Sequence, residues 1–329
     1  MLIDYLADFD RPDAPGIAAA IVQRGEMVAR VAFGSADLAT GRACTPATHF
    51  RLASVTKQFT AALVLLLSEM GHLGLDDPIG RLLPNAPIYA HPVTIRQLLT
   101  HTSGLVDYED LIPPERSEQV HDAEIPAMLP DDPAQGLYFA PGSGYRYSNT
   151  GYVLLALLAE RSADMAFPEL LRTRICGPLG MRTTLAFVTG GPAVPERAYG
   201  YSEQHGTWLP TDQSVTSATL GDGGVYSSVD DMACWLAAID EGALLQPETW
   251  RAIFTPWVAT DHGRHYGYGW FIDQYRGELL VQHDGTTMGF RNAVARLPER
   301  RLAAVVLTNR THANPLALAL RMLDGLGLL

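Results

Sequence analysis

Lysine is almost absent from this sequence. Of the 24 basic residues in the 329-residue chain, 23 are arginine and one, Lys57, is lysine. The formal net charge is −12, and no cluster of basic residues interrupts this acidic balance. Because nucleic acids and anionic membrane surfaces bind proteins through positive charge, we expect neither of them as a partner.

Long apolar runs and cysteine are also scarce. The run Ala61–Leu67 is far shorter than the roughly 20 residues that a membrane-spanning helix needs. The first 15 residues carry four aspartates and no long apolar region, so no signal peptide is predicted and we expect a cytoplasmic location. The three cysteines are widely spaced, which predicts buried thiols instead of a disulfide framework or a metal knuckle.

Apolar patterning predicts strands at both ends of the chain. Residues 16–23 and 27–33 flank a short glycine-containing turn, as in a β-hairpin. A helix is predicted from Ser54 to about Gly71, and a closing helix from about Pro315 to Leu326. Further strand-like runs are residues 224–227, 268–273, 278–282, 292–297 and 302–308.

The middle of the chain has a different residue pattern. From about Asp76 to Gly223, prolines and glycines separate short helical pieces, and no strand alternation is evident. We therefore predict an α/β (α+β) fold with a mostly antiparallel sheet that is built from both chain ends and flanked by the Ser54 helix and the last helix. The predicted units are a sheet subdomain, residues 1–75 and 224–329, and an inserted, mainly helical lobe, residues 76–223.

The single lysine lies three residues after a serine at a predicted helix start. Residues three apart share a helix face, which brings the Lys57 amine close to the Ser54 hydroxyl. Arginine does not deprotonate in proteins, whereas a desolvated lysine loses its proton readily. This pattern predicts an activated serine nucleophile. The alternative from these two residues is a helix N-cap followed by a solvated lysine.

Three short motifs in order resemble those of the serine β-lactamase and penicillin-binding-protein superfamily. Ser54 to Lys57 resembles its Ser-x-x-Lys motif. Tyr147-Ser148-Asn149 resembles the Tyr-x-Asn motif of class C β-lactamases and their esterase and D-aminopeptidase relatives. His283-Asp284-Gly285 is similar to the His-x-Gly that this branch often has in place of Lys-Thr-Gly. Flanking stretches that agree with the family are residues 98–105, 177–181 and 221–228.

The resemblance implies a β-lactamase/transpeptidase-like fold and a role for each matched residue. Ser54 attacks a carbonyl carbon, and Lys57 takes its proton, either directly or through Tyr147 as a phenolate. Asn149 bridges Lys57 and a polar group of the substrate. The backbone N–H groups of Ser54 and Thr286 form the oxyanion hole. Among the substrate-binding residues, Gly285 leaves room for substrate to lie along the strand.

One departure from the family bears on the substrate. His283 replaces a lysine that helps to bind carboxylates, which makes efficient β-lactam hydrolysis less favourable. We predict hydrolysis of a small ester, amide or short peptide, with a D-configured residue as one option. An acyltransferase, a weak β-lactamase and a non-catalytic sensor remain alternatives.

The sequence predicts no cofactor and no metal. His262 and His265 lie three residues apart beside Asp261, but on a glycine-containing loop without a clear third ligand, so a solvated loop is the expectation. The oligomeric state is not predicted.

Overall fold

An eight-stranded antiparallel sheet forms the centre of the fold. The computed structural model describes residues 2–326, apart from the side chains at positions 2, 3, 262 and 326. Numbered along the chain and given in spatial order, the strands are β2 (Glu26–Phe33), β1 (Ile17–Gln23), β15 (Leu302–Thr308), β14 (Phe290–Leu297), β13 (Glu278–Thr287), β12 (Phe271–Tyr275), β11 (His265–Tyr266) and β10 (Val258–Ala259).

The predicted hairpin and the antiparallel sheet built from both chain ends are confirmed. The three central strands are buried on both faces, and the registers of β1 with β2 and with β15 are antiparallel. Two predicted strands differ in extent from the observed ones. The strand predicted at residues 268–273 begins three residues later, and the one predicted at 278–282 continues to Thr287.

Short strands form three smaller sheets. They are β3 (Ser35–Asp37) with β4 (Arg42–Ala43), β5 (Phe50–Arg51) with β9 (Val225–Ser227) and β6 (Leu185–Ala186), and β7 (Tyr201–Gln204) with β8 (Thr207–Pro210). Three of these strands, β6 to β8, lie where the sequence showed no alternation. They are two to four residues long, which is too short for a period of two to stand out.

Helices cover the sheet and fill the middle of the chain. They are α1 (Leu2–Leu6), α2 (Lys57–Glu69), α3 (Ile95–Leu99), α4 (Ile125–Met128), α5 (Pro133–Gly136), α6 (Asn149–Ala163), α7 (Phe167–Leu170), α8 (Val229–Glu241), α9 (Pro247–Ile253) and α10 (Pro315–Leu326). Single 3-10 turns and one π-turn, Leu171–Cys176, connect several of them.

The helices that cover the sheet are partly different from those predicted. The last helix, α10, packs on β14 and β15 as expected, but the opposite face of β1 and β15 is covered by α8, which the sequence analysis did not identify. Helix α2 packs mainly against α6, while the 3-10 turn before it packs on β13 and β14. Alternate residues of β1 accordingly belong to two separate apolar cores.

We retain the two-subdomain division as a proposal. Every strand of the large sheet comes from residues 17–33 or 258–308, which supports a sheet subdomain made from the two chain ends. The small sheet of β5, β9 and β6 joins a strand of the middle segment to strands on either side of it.

Candidate active site

Ser54 lies on a tight turn that several contacts hold in place. The turn is a 3-10 helix over Ala53–Thr56 that leads directly into α2. Ala53 has a positive φ of 51°, a conformation that costs energy for a residue other than glycine and is retained only where the surroundings impose it. Asn292 of β14 donates a hydrogen bond to the Arg51 carbonyl at 2.8 Å, and this contact ties the approach to the turn to the large sheet.

Lys57 is fully buried and saturated with acceptors. Its Nζ donates to Ser54 Oγ at 3.2 Å, to Asn149 Oδ1 at 2.7 Å and to the Asp222 carbonyl at 3.0 Å. Three contacts match the three donors of an ammonium group. The geometry therefore holds the amine against the serine hydroxyl, and the solvated-lysine alternative does not apply.

Burial lowers the pKa of Lys57 to about 8. Desolvation of the charged amine is the largest cause, and the nearby carboxylates of Asp222, Asp107 and Glu109 oppose it by favouring the ammonium form. A substantial fraction of the amine is consequently unprotonated near pH 8, whereas an ordinary lysine would be almost fully charged. Lys57 thus has the pKa that a general base needs.

The Tyr147 phenol lies between Lys57 and the open cleft. Its ring centroid is 4.8 Å from Lys57 Nζ, and its buried hydroxyl makes no hydrogen bond with the described residues. Burial raises the pKa of Tyr147 well above 10, although the nearby Ser54 hydroxyl lowers it somewhat. The phenolate that the sequence analysis offered as one route is therefore disfavoured, and a neutral phenol is the form that suits proton donation.

His283 is buried and uncharged near neutral pH. Its Nδ1 contacts the Asp284 carbonyl at 2.7 Å, which can only accept, so the proton is on Nδ1 and Nε2 accepts from the Tyr266 hydroxyl at 3.1 Å. Burial lowers the pKa of His283 to about 4. His283 therefore offers no positive charge in place of the family's lysine. The neighbouring Asp284 is exposed and lines the same cavity as Ser54.

Gly285 is needed for close packing, and its predicted role in leaving room for substrate stays a prediction. A Cβ at this position would lie 2.2 Å from the Leu52 carbonyl oxygen and 3.3 Å from Ala53 Cβ. The glycine thus lets β13 approach the turn that carries Ser54. Beyond Gln282, β13 has no pairing with β12 among the described residues, and Thr286 lines the cavity beside Ser54. The oxyanion role of its N–H stays a prediction.

Gly285→Ala should displace the Ser54 turn. We expect a loss of about 1–3 kcal/mol in the free energy of unfolding, because a methyl group is forced into a packed contact, together with a fall in kcat/KM. Thermal unfolding and ester hydrolysis measure the two effects. Gly144→Ala, where the nearest atom would be a Phe139 ring carbon at 3.4 Å, serves as the control. Equal behaviour of both variants would contradict the close-approach argument.

Two cavities adjoin on the Tyr147 side of Ser54. The inner one, of about 250 Å³, is lined by Ser54, Tyr147, Phe271, His283, Asp284 and Thr286. The outer one, of about 690 Å³, shares Tyr147 and Phe271 with it and is also lined by Tyr138, Phe139, Tyr145, Arg146, Thr260, Asp261 and Arg264. The two cavities form a cleft with room for a substrate that carries an aromatic or branched side chain.

The acidic residues behind the site were not evident from the sequence. Asp107 accepts from the Asn149 N–H at 2.6 Å, and Glu109 Oε1 accepts from Asn149 Nδ2 at 3.0 Å. No spacing rule connects these acids to a residue about 40 positions later. Asp222 belongs to residues 221–228, which were noted only for their family resemblance, and its backbone carbonyl accepts from Lys57 Nζ.

His101 holds the start of α6 and also packs against the Tyr147 ring. Its Nδ1 accepts from the Ser148 N–H at 3.1 Å, and its ring centroid lies 4.4 Å from that of Tyr147.

Neither a metal cluster nor a membrane span is seen in the described part of the chain. No group of three or more His, Cys, Asp or Glu residues among the described side chains is arranged to hold a metal ion, and the His262 side chain lies outside them. Within residues 2–326, no helix has the length and apolar character to cross a bilayer. The described cysteines are unpaired thiols; Cys44 and Cys176 are buried and Cys234 is partly so.

Comparison with known proteins agrees with this geometry. Penicillin-binding protein 4* of Bacillus subtilis is 32% identical over 306 residues, which cover 87% of this chain. A D-aminopeptidase of Brucella ovis is 32% identical over 323 residues, or 94% of the chain. These alignments cover 66% and 59% of the respective relatives, so the chain spans less than two thirds of the curated relatives it matches.

Solved structures show the same fold. An octameric penicillin-binding protein homologue from Pyrococcus abyssi superposes with a TM-score of 0.87 at 28% identity, covering 99% of this chain and 75% of that one. D-amino acid amidase from Ochrobactrum anthropi SV3 gives 0.82 at 26% identity, covering 95% and 91%. The Beta-lactamase family profile matches residues 4–329. The chain therefore belongs to the beta-lactamase family.

Proposed function

We propose that this protein is a serine hydrolase that cleaves amide or peptide bonds through an acyl-enzyme on Ser54. The observation that carries the proposal is the contact of 3.2 Å between Ser54 Oγ and the buried Lys57 amine, whose pKa is about 8. A serine hydroxyl beside an unprotonated amine is an activated nucleophile. This contact disfavours a non-catalytic sensor.

A residue of the site can be assigned to each proton transfer of the acylation. The neutral Lys57 amine takes the Ser54 proton as Oγ attacks the carbonyl carbon. The developing oxyanion accepts hydrogen bonds from the backbone N–H groups of Ser54 and Thr286. Tyr147 gives its proton to the leaving amine and regains one from the Lys57 ammonium, which returns Lys57 to its basic form.

Charge in the inner cavity favours a substrate with a free amino group. His283 is neutral, and the Asp284 carboxylate lines the cavity beside Ser54, so a substrate carboxylate meets repulsion there and an ammonium group meets attraction. Weak β-lactam hydrolysis is correspondingly disfavoured. Relatives named D-aminopeptidase and D-amino acid amidase lead us to propose an N-terminal D-residue as the acyl part.

Release of p-nitroaniline from D-alanine and L-alanine p-nitroanilides tests this function. We expect turnover of the D-substrate, weaker or no turnover of the L-substrate, and no turnover by Ser54→Ala. A short-chain p-nitrophenyl ester tests whether the protein also hydrolyses esters. Hydrolysis of neither the ester nor the anilides would contradict the proposed function.

Asp284→Asn should weaken the preference for a free amino group. We expect the ratio of kcat/KM for D-alanine p-nitroanilide over its N-acetyl derivative to fall about threefold to fivefold, the size of a partly exposed charge interaction. Glu299→Gln removes an exposed carboxylate from a turn outside the cleft and should leave this ratio unchanged. An unchanged ratio in Asp284→Asn would show that another group selects the amine.

A further inference from the structure

Besides the Tyr147 hydroxyl, two buried polar atoms near Ser54 have no hydrogen-bond partner among the described residues. Arg51 is 3% exposed, and its Nη2 and Nε donate to the carbonyls of Ser217 and Gly223, while Nη1 has no acceptor. Asp222 is 6% exposed, and its Oδ2 accepts from the Tyr108 hydroxyl at 3.2 Å, while Oδ1 has no donor. Buried polar atoms of this kind are commonly satisfied by an ordered water molecule.

Both residues line a small polar cavity that reaches the nucleophile. Its volume is about 40 Å³, and its wall also includes Ser54, Asn149 and Glu109. The cavity is open to solvent, since Glu109 in its wall is exposed, and its volume is sufficient for an ordered water molecule. A donor (Arg51) and acceptors (Asp222, Glu109) are available to orient it.

The small cavity lies on a different side of Ser54 from the substrate cleft. Tyr147 and Phe271 line only the cleft, whereas Glu109 and Asn149 line only the small cavity. Ser54 and Thr286 contribute to both. A leaving group that takes its proton from Tyr147 therefore departs on one side. A water molecule can be held on the other side throughout acylation.

We propose that this small cavity binds the water that hydrolyses the acyl-enzyme, with the Glu109 carboxylate as its general base. The water oxygen bonds to the carbonyl carbon of acyl-Ser54 while one water proton passes to Glu109. The tetrahedral intermediate then breaks its bond to Ser54 Oγ, which regains the proton that Glu109 took up. The products are a carboxylic acid and the free serine. The inference rests on the proposed acyl-enzyme at Ser54.

The surroundings of Glu109 suit this role. Its Oε1 accepts from Asn149 Nδ2 at 3.0 Å, and its Oε2 accepts no hydrogen bond from the described residues, which leaves that oxygen for the water. Partial desolvation, followed by the neighbouring Asp107 and Asp222 charges, raises the pKa of Glu109 to about 7, although the residue is exposed. A base with a pKa near the working pH combines adequate basicity with a large unprotonated fraction. A dedicated water site favours hydrolysis over acyl transfer.

The test is the transient kinetics of Glu109→Gln with p-nitrophenyl acetate. This substrate has no amino group, so a role of Glu109 in binding an amine cannot affect the result. We expect a rapid release of about one p-nitrophenol per protein, followed by turnover at least about 100-fold slower than wild type, since a general base contributes roughly 10²- to 10⁴-fold. Intact-mass measurement should show an acetyl group on Ser54, and hydroxylamine, which attacks esters without a base, should restore turnover.

Two controls separate the possible outcomes. Glu115→Gln removes an exposed carboxylate from a nearby segment and should behave as wild type. Glu109→Asp keeps the carboxylate and should show intermediate turnover. This result would show that the slow turnover of Glu109→Gln comes from loss of the base and not from a folding defect. Unchanged turnover in Glu109→Gln, or loss of the initial release with no acetyl adduct, would overturn the water site. An equal wild-type and Ser54→Ala rate would instead overturn the proposed function.

Discussion

Ser54→Ala is expected to abolish turnover of a short-chain p-nitrophenyl ester. Loss of a covalent nucleophile typically lowers kcat by about 10⁴- to 10⁶-fold, because the remaining groups cannot replace the covalent intermediate. The Lys57 amine would still be held by Asn149 Oδ1 and the Asp222 carbonyl, so the fold should be preserved. Release of p-nitrophenol and the melting temperature measure these two consequences.

Ser68→Ala is the matched control for this experiment. Ser68 lies in the last turn of α2, on the same helix as Lys57 and far along it from the site. Its replacement should leave the rate within about twofold of wild type, as expected of a substitution that disturbs no special interaction. Equal rates in wild type and Ser54→Ala would mean that Ser54 is not the nucleophile.

Lys57→Arg is expected to lower kcat/KM by about 10³-fold, although it keeps the positive charge. A guanidinium stays protonated at any pH at which the protein is folded, so it cannot accept the serine proton. Lys57→Met should be equally inactive, because it also lacks a base. Substantial activity in the arginine variant would show that the charge of residue 57 matters and its basicity does not.

The pH dependence of the wild type should report the same group. Because the neutral amine is the base, kcat/KM should rise with pH and level off above an apparent pKa of about 8. The residual activity of Lys57→Arg should not show this rise of kcat/KM with pH. The sequence offers an unusually direct check, since ¹⁵N-lysine labelling places a side-chain label at one position only. A titration midpoint near 10.5 for that signal would contradict a desolvated base.

The chemistry of the nucleophile was largely predictable from the sequence. A lysine three residues after a serine, in a chain that otherwise uses arginine, already favoured a residue that can lose its proton. Helical periodicity placed the two side chains on one face, and the structure confirms their contact at 3.2 Å. The assignment of Tyr147 and Asn149 needed the family resemblance, because no local rule links them to Ser54.

The surroundings of the site were not predictable in the same way. Asp107, Glu109 and Asp222 act on Lys57 across separations of about 50 to 165 residues, and each lies in a turn or at a single 3-10 helix too short to show periodicity. The close-packing role of Gly285 was also missed, since the clash that excludes a side chain involves backbone atoms of the turn before α2. Helix α8 was not identified, although it covers one face of the central sheet.

By itself, the sequence determined the acidic charge, the strands at both chain ends and the serine–lysine pair, because composition and short-range periodicity encode them. Only the tertiary structure decided how basic Lys57 is, whether Tyr147 is a phenol, and which way Asp284 and Glu109 face. These properties depend on desolvation and on charges brought within a few ångströms by chain folding. Neither desolvation nor such long-range charge contacts can be predicted from short-range sequence patterns.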